Sequence, residues 1–179
     1  MTSISCWAQE TTNATIKGRF TLRGYKAFYE VEYGFDIDNE ELDHDGNRIP
    51  AYPHCNNLII STTQGYQVNN YFFAGGGVGV LHYLDGKHTV MPIFADLRLN
   101  FLNNKIVEPT MGARVGCVVG CWGGLYASAW LGARFRISNN HALSIAVGIM
   151  NQNDFTAAIN DEETAWYATS LGVKLGYEF

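Results

Sequence analysis

Hydrophobicity that alternates residue by residue is the feature that most constrains this chain. Between Met91 and Phe101, the apolar Met91, Ile93, Ala95, Leu97, Leu99 and Phe101 are separated by Pro92, Phe94, Asp96, Arg98 and Asn100. A period of two puts successive side chains on opposite faces of a β-strand, so one face is greasy and the other carries charge. The pattern recurs. Tyr25, Ala27, Tyr29, Val31, Tyr33 and Phe35 alternate with Lys26, Phe28, Glu30, Glu32 and Gly34. Leu58, Ile60 and Thr62 make a weaker run, and Phe72, Ala74, Val78 and Val80 oppose Gly75, Gly77 and Gly79. Met111, Ala113, Val115 and Cys117 face away from Thr110, Gly112, Arg114 and Gly116. Leu125 to Phe135 sets alternate apolar residues against Tyr126, Ser128, Trp130, Gly132 and Arg134, and Leu143, Ile145, Val147 and Ile149 follow. The last run is Tyr167, Thr169, Leu171, Val173, Leu175, Tyr177 and Phe179, against Trp166, Ser170, Lys174 and Glu178.

These runs predict eight strands, and their links sort by length. Asn69-Asn70, Asn103-Asn104 and Asn139-Asn140 stand in short links after the second, fourth and sixth strands. Asparagine tolerates the positive φ that tight hairpins use. Longer connections, Asp36 to His54, Asp85 to His88, Val119 to Gly124 and Asn151 to Thr164, fall at the other end. Short turns at one end and long loops at the other match transmembrane barrels, in which the short turns are periplasmic.

Composition agrees. Charged residues make up only 16% of the 179 and apolar residues 47%, against roughly 25% charged in soluble domains. No apolar run reaches the roughly 18 residues of a transmembrane helix. A net charge of −5 without a Lys/Arg cluster argues against nucleic acid as a partner. Ile4-Ser5-Cys6-Trp7-Ala8-Gln9 has the look of the end of a secretory signal cleaved after Ala8, with a disordered N-terminal tail as the alternative. Residues 1–19 are therefore set apart from a barrel domain at 20–179.

A soluble up-and-down barrel binding a small apolar ligand would alternate in the same way with its faces exchanged. Aromatic position favours the membrane. Tyr25, Phe72, Phe101, Phe135, Tyr177 and Phe179 gather near the short-turn end, and Tyr33, Phe35 and Tyr167 near the other. Two aromatic belts flanking an aliphatic band form the girdle of a membrane barrel. The polar face is then the interior, holding Lys26, Glu30, Glu32, Asp96, Arg98, Arg114, Arg134, Lys174 and Glu178. Eight strands enclose just enough room for side chains, so these charges are expected to pair with one another. Closing the first strand on the last sets Lys26 opposite Glu178 and Glu30 opposite Lys174 in one antiparallel register, with shifts of two residues left open.

With the final strand in view, the chain resembles small outer-membrane barrels of the OmpA and OmpX kind. The carrying residues are Ala168 to Phe179, ATSLGVKLGYEF, with a terminal Phe and a Tyr two places before it. The resemblance implies that Leu175, Tyr177 and Phe179 contact the barrel-assembly machinery during insertion. Gly24-Tyr25-Lys26-Ala27-Phe28, Ser61-Thr62-Thr63-Gln64-Gly65-Tyr66 and Phe94-Ala95-Asp96-Leu97-Arg98 further resemble Bacteroidetes-type barrel proteins.

Chemistry is thinly signposted. Ala74 to Val80, AGGGVGV, lacks the Lys-Ser/Thr pair and following helix of a phosphate loop; its inward glycines are read instead as room for Phe94, Trp130 or Trp166. Asp43-His44-Asp45-Gly46-Asn47 is oxygen-rich but lacks the spacing and distal Glu of a calcium loop. Cys117 and Cys121 have neither zinc nor redox spacing; a Cys55–Cys121 bridge is set against free thiols. His44, His54, His82 and His88 sit where an outer-end hydrolase or lipid-modifying site would need them, with no motif selecting any. The expectation is an eight-stranded antiparallel up-and-down transmembrane β-barrel. It is monomeric in outer-membrane lipid, with no cofactor, metal or catalytic site, and contacts partners through its outer loops.

Overall fold

The computed structural model describes residues 23–42, 48–50, 56–85, 87–101, 106–120, 123–138, 141–154 and 166–179. Eight long strands close on themselves: β1 (Gly24–Leu42), β3 (Asn57–Gln67), β4 (Phe72–Tyr83), β5 (Thr89–Asn100), β6 (Val107–Gly120), β7 (Gly124–Arg136), β8 (Ala142–Asp154) and β9 (Trp166–Glu178). A three-residue strand, β2 (Arg48–Pro50), lies beside the far end of β1. Each strand pairs antiparallel with its neighbour, and β1 pairs with β9 to close the barrel.

One open choice is resolved and one expectation is corrected. The closing ladder takes one of the two-residue shifts left open, with Phe28 opposite Glu178 and Glu32 opposite Lys174, while Glu30 and Lys174 still stand 3.7 Å apart. Charge pairing did not fix the register because a long lysine reaches diagonally across a ladder. Lys26 Nζ still lies 2.8 Å from Glu178 Oε1. The correction is β1, which does not end at Phe35. A bulge between Asp36 and Asp38 carries it on to Leu42, paired with Trp166–Thr169 on one side and with β2 on the other. Acidic residues have poor strand propensity, and the bulge breaks the period of two, so Asp36 onward reads as loop in sequence.

At Asn69 the asparagine signal has a different cause. Asn69 Oδ1 accepts from the backbone N–H of Tyr71 and of Phe72, each at 2.8 Å, and Val68 N–H donates to Phe72 O at 2.9 Å. The side chain thus closes the turn as an Asx acceptor. Among the described residues Lys87 is the non-glycine at positive φ. Asn103-Asn104 and Asn139-Asn140 lie outside the described residues, as do residues 1–19.

Exposure follows the strand period with the polarity of a soluble protein reversed. Along β5, each of Val90, Pro92, Phe94, Asp96, Arg98 and Asn100 is buried and each residue between them is exposed. Outward Leu97 is 48% exposed and Leu131 62%. Inside, glycines admit large rings. A Cβ on Gly77 would lie 2.5 Å from Phe94, and one on Gly112 2.5 Å from Trp130.

Candidate functional site in the barrel interior

Strand geometry brings charge from five strands to the axis. Glu30 on β1 receives Arg98 of β5 through both guanidinium nitrogens, at 3.1 and 2.8 Å. Arg114 of β6 also bonds Glu30, and Lys174 of β9 stands 3.7 Å away. Asp96 binds Arg98 Nη2 at 2.6 Å and Arg114 Nε at 2.9 Å, and takes a bond from the Thr63 hydroxyl at 3.3 Å. Parity explains the meeting: these residues share the inward face, and the ladders bring Asp96 opposite Arg114.

A second group lies nearer the short-turn end. Glu178 accepts from Arg134 Nε at 2.5 Å and Nη2 at 2.9 Å, and from Lys26 at 2.8 Å. Arg134 reaches across to Glu108 at 2.7 Å, and Arg136 bonds Glu108 as well. Sequence reading missed Glu108 and Arg136. Both continue the inward parity, of Thr110 and Arg134 respectively, one step beyond the alternating runs, and Pro109, which lacks a backbone N–H, masks the start of β6.

Aromatic rings sheathe the cations. Arg98 lies 3.8 Å over the Phe28 ring centroid, Arg114 4.6 Å over Phe94, and Lys174 3.8 Å over Trp130. Such contacts favour a cation more when both groups are desolvated. Towards the long-loop end the interior changes character. Ile59, Leu81, Tyr83, Val90, Phe94, Val118, Tyr126, Met150 and Ala168 form one buried apolar cluster. The sequence places Phe94 and Tyr126 on this inward face but does not sort the interior into a charged half and an apolar half. Its residues share the inward parity, but isolated apolar side chains between charged ones look like noise until the strands are stacked.

With ion pairs buried inside and a continuous band of aliphatic and aromatic side chains exposed outside, the bilayer is the solvent for which this polarity is built. The fold is a small transmembrane β-barrel. Solved structures with this fold include Neisserial surface protein A, at TM-score 0.50 and 11% identity over 84% of this chain and 95% of that one. The outer membrane protein OprG from Pseudomonas aeruginosa matches at TM-score 0.50 and 13% identity, over 87% of this chain and 96% of the other. No protein-family model matches the sequence, and no curated protein matches it.

The remaining candidates are placed as follows. Outward Tyr25, Tyr29, Tyr177 and Phe179 crowd the β1–β9 seam, with Tyr29 and Phe179 stacked at 5.5 Å and Tyr177 hydroxyl 2.8 Å from His141 Nδ1. Leu175, Tyr177 and Phe179 all face outward. At the long-loop rim of the barrel, His82 Nδ1 pairs with Thr89 Oγ1 at 2.8 Å, and Asp85 accepts from Asn56 Nδ2 at 3.2 Å. Neither contact joins a histidine to a nucleophile and a carboxylate. Cys117 is a free thiol on the outward face. Cys55, Cys121, His44, His54, Asp43 and Asp45 lie outside the described residues. Among the described residues, no group of His, Cys, Asp or Glu could hold a metal.

Proposed function

We propose that this barrel resides in the bacterial outer membrane as a monomer and acts without catalysis, as a structural element or through contacts made by its long loops. One observation carries the reading: the interior is filled, by interlocked ion pairs in one half and apolar side chains in the other. A filled lumen supports neither a wide channel nor a substrate cavity, which leaves the lipid-facing band for anchoring and the loops for recognition. The outward placement of Leu175, Tyr177 and Phe179 supports their recognition by the assembly machinery, since a signal read before closure need not be buried afterwards. Removing Phe179 should lower the amount of folded protein in membranes of expressing cells, while refolding of the purified chain into detergent persists. Equal membrane yield from the truncated chain would remove that role.

The primary test is gel mobility of detergent-refolded protein, with and without boiling, beside a detergent-free sample. A heat-dependent shift confined to the detergent sample is the expected result. A monodisperse folded species without detergent would exchange the two faces and point to a soluble ligand-binding barrel.

A further inference from the structure

The two layers of the interior differ in their access to water. At the short-turn end the side chains keep some exposure: Arg136 13%, Lys26 8% and Glu178 7%. Glu108, held between Arg134 and Arg136, is covered. Deeper, Arg98 keeps 5% and Lys174 4%, and Glu30, Asp96 and Arg114 fall to 1% or nothing. A small cavity opens beside this lower group, with Arg98, Asn100, Trp130, Arg134 and Glu178 in its wall. Beyond Glu30 and Asp96, towards the long loops, stand Ile59, Leu81, Tyr83, Phe94, Tyr126 and Met150, none more than 4% exposed. Polar groups stand among them too: Tyr83 hydroxyl donates to Gln152 Oε1 at 2.6 Å, Asn57 Nδ2 donates to Ser170 Oγ at 2.9 Å, and the buried Glu32 lies opposite Ile59.

We propose that the lumen is a one-ended aqueous well, entered from the short-turn end, and that the apolar cluster beneath the long loops is what seals it against ions. An ion-pair network is hydrophilic and offers a passing ion charged groups in place of its hydration shell. A tightly packed apolar constriction offers a passing ion nothing in place of its hydration shell, and such constrictions close pores by excluding water. The seal is therefore asymmetric. Solutes on the short-turn side reach the outer ion pairs of Lys26, Glu178 and Arg136, and solutes on the long-loop side meet the plug. This goes beyond the proposed loop-based role and is independent of which partner the loops contact.

Planar-bilayer recording on the full chain tests it, with the heat-dependent gel shift verifying the fold of each protein. Wild type should be silent, Leu81→Ala/Tyr126→Ala should show discrete conductance steps, and Lys174→Met should stay silent. Conductance by wild type, conductance by Lys174→Met with the plug intact, or silence from the folded double variant would each overturn the proposal. Should the double variant fail to fold, thiol labelling decides. In a cysteine-free background, Ser144→Cys near the mouth should react with a small cationic reagent and Ser170→Cys inside the plug should not. Comparable labelling of both would overturn the seal. Absence of the heat shift in wild type would instead remove the membrane-barrel reading.

Discussion

Glu30 meets three cations, Arg98, Arg114 and Lys174, with almost no solvent to share the load. Replacing it by Ala leaves buried guanidinium groups short of a counter-charge. The expected cost is about 3–5 kcal/mol, the range for breaking one side of a buried pair, read from the urea midpoint of the refolded barrel. Lys174 should behave differently. Its ammonium stands 3.7 Å from Glu30 and rests on the Trp130 face, so Lys174→Met keeps most of the apolar packing and gives up a charge that was expensive to bury. Its loss should be under about 1.5 kcal/mol, as for swaps that conserve volume. Equal losses for the two variants would mean that the network is not centred on Glu30.

At the scale of one strand, β5 shows how a single period serves two solvents. Leu97 faces lipid and Asp96 and Arg98 face the lumen. A charge is therefore tolerated or not by parity alone. Leu97→Arg should destabilise the barrel by about 2–4 kcal/mol if Leu97 sits near the bilayer midplane, measured by unfolding in lipid vesicles. A gain of stability would place that face away from lipid. The glycines of neighbouring strands set the complementary limit. Gly112→Leu drives a side chain into Trp130 and the Leu97 carbonyl, and overpacking of this kind costs about 1–3 kcal/mol. An unchanged urea midpoint would show that Trp130 can move aside.

For the whole molecule, a ladder closed by β1 and β9 leaves no long edge strand among the described residues to recruit another chain. The outward face is apolar but continuous with lipid, so detergent-solubilised protein should sediment as one protomer plus bound detergent. A concentration-dependent dimer in analytical ultracentrifugation would show that part of the lipid-facing wall is an interface. The layered interior also implies that stability is divided. The charged half relies on paired groups and the other half on apolar packing, so high salt should shift unfolding only slightly, buried pairs being weakly screened.

Sequence by itself determined the strand parity, and with it nearly everything that depends on which way a side chain points. Asp96 and Arg114 turn inward and Leu97 and Leu131 outward because consecutive side chains on a strand have no other choice. It also determined the eight long strands and the short-turn end, because turn chemistry is local. Tertiary structure decided what depends on height along the barrel. The closing register took one of the shifts left open because lysine reach made charge pairing a loose constraint. Asp36 to Leu42 became strand because β9 and β2 supplied hydrogen bonds that acidic residues do not announce. The division of the lumen into a charged layer and an apolar plug appeared only when inward residues far apart in sequence, such as Ile59, Leu81, Tyr126 and Met150, were brought to one level. Alternation fixes a face; only the stagger of paired strands fixes which faces share a layer.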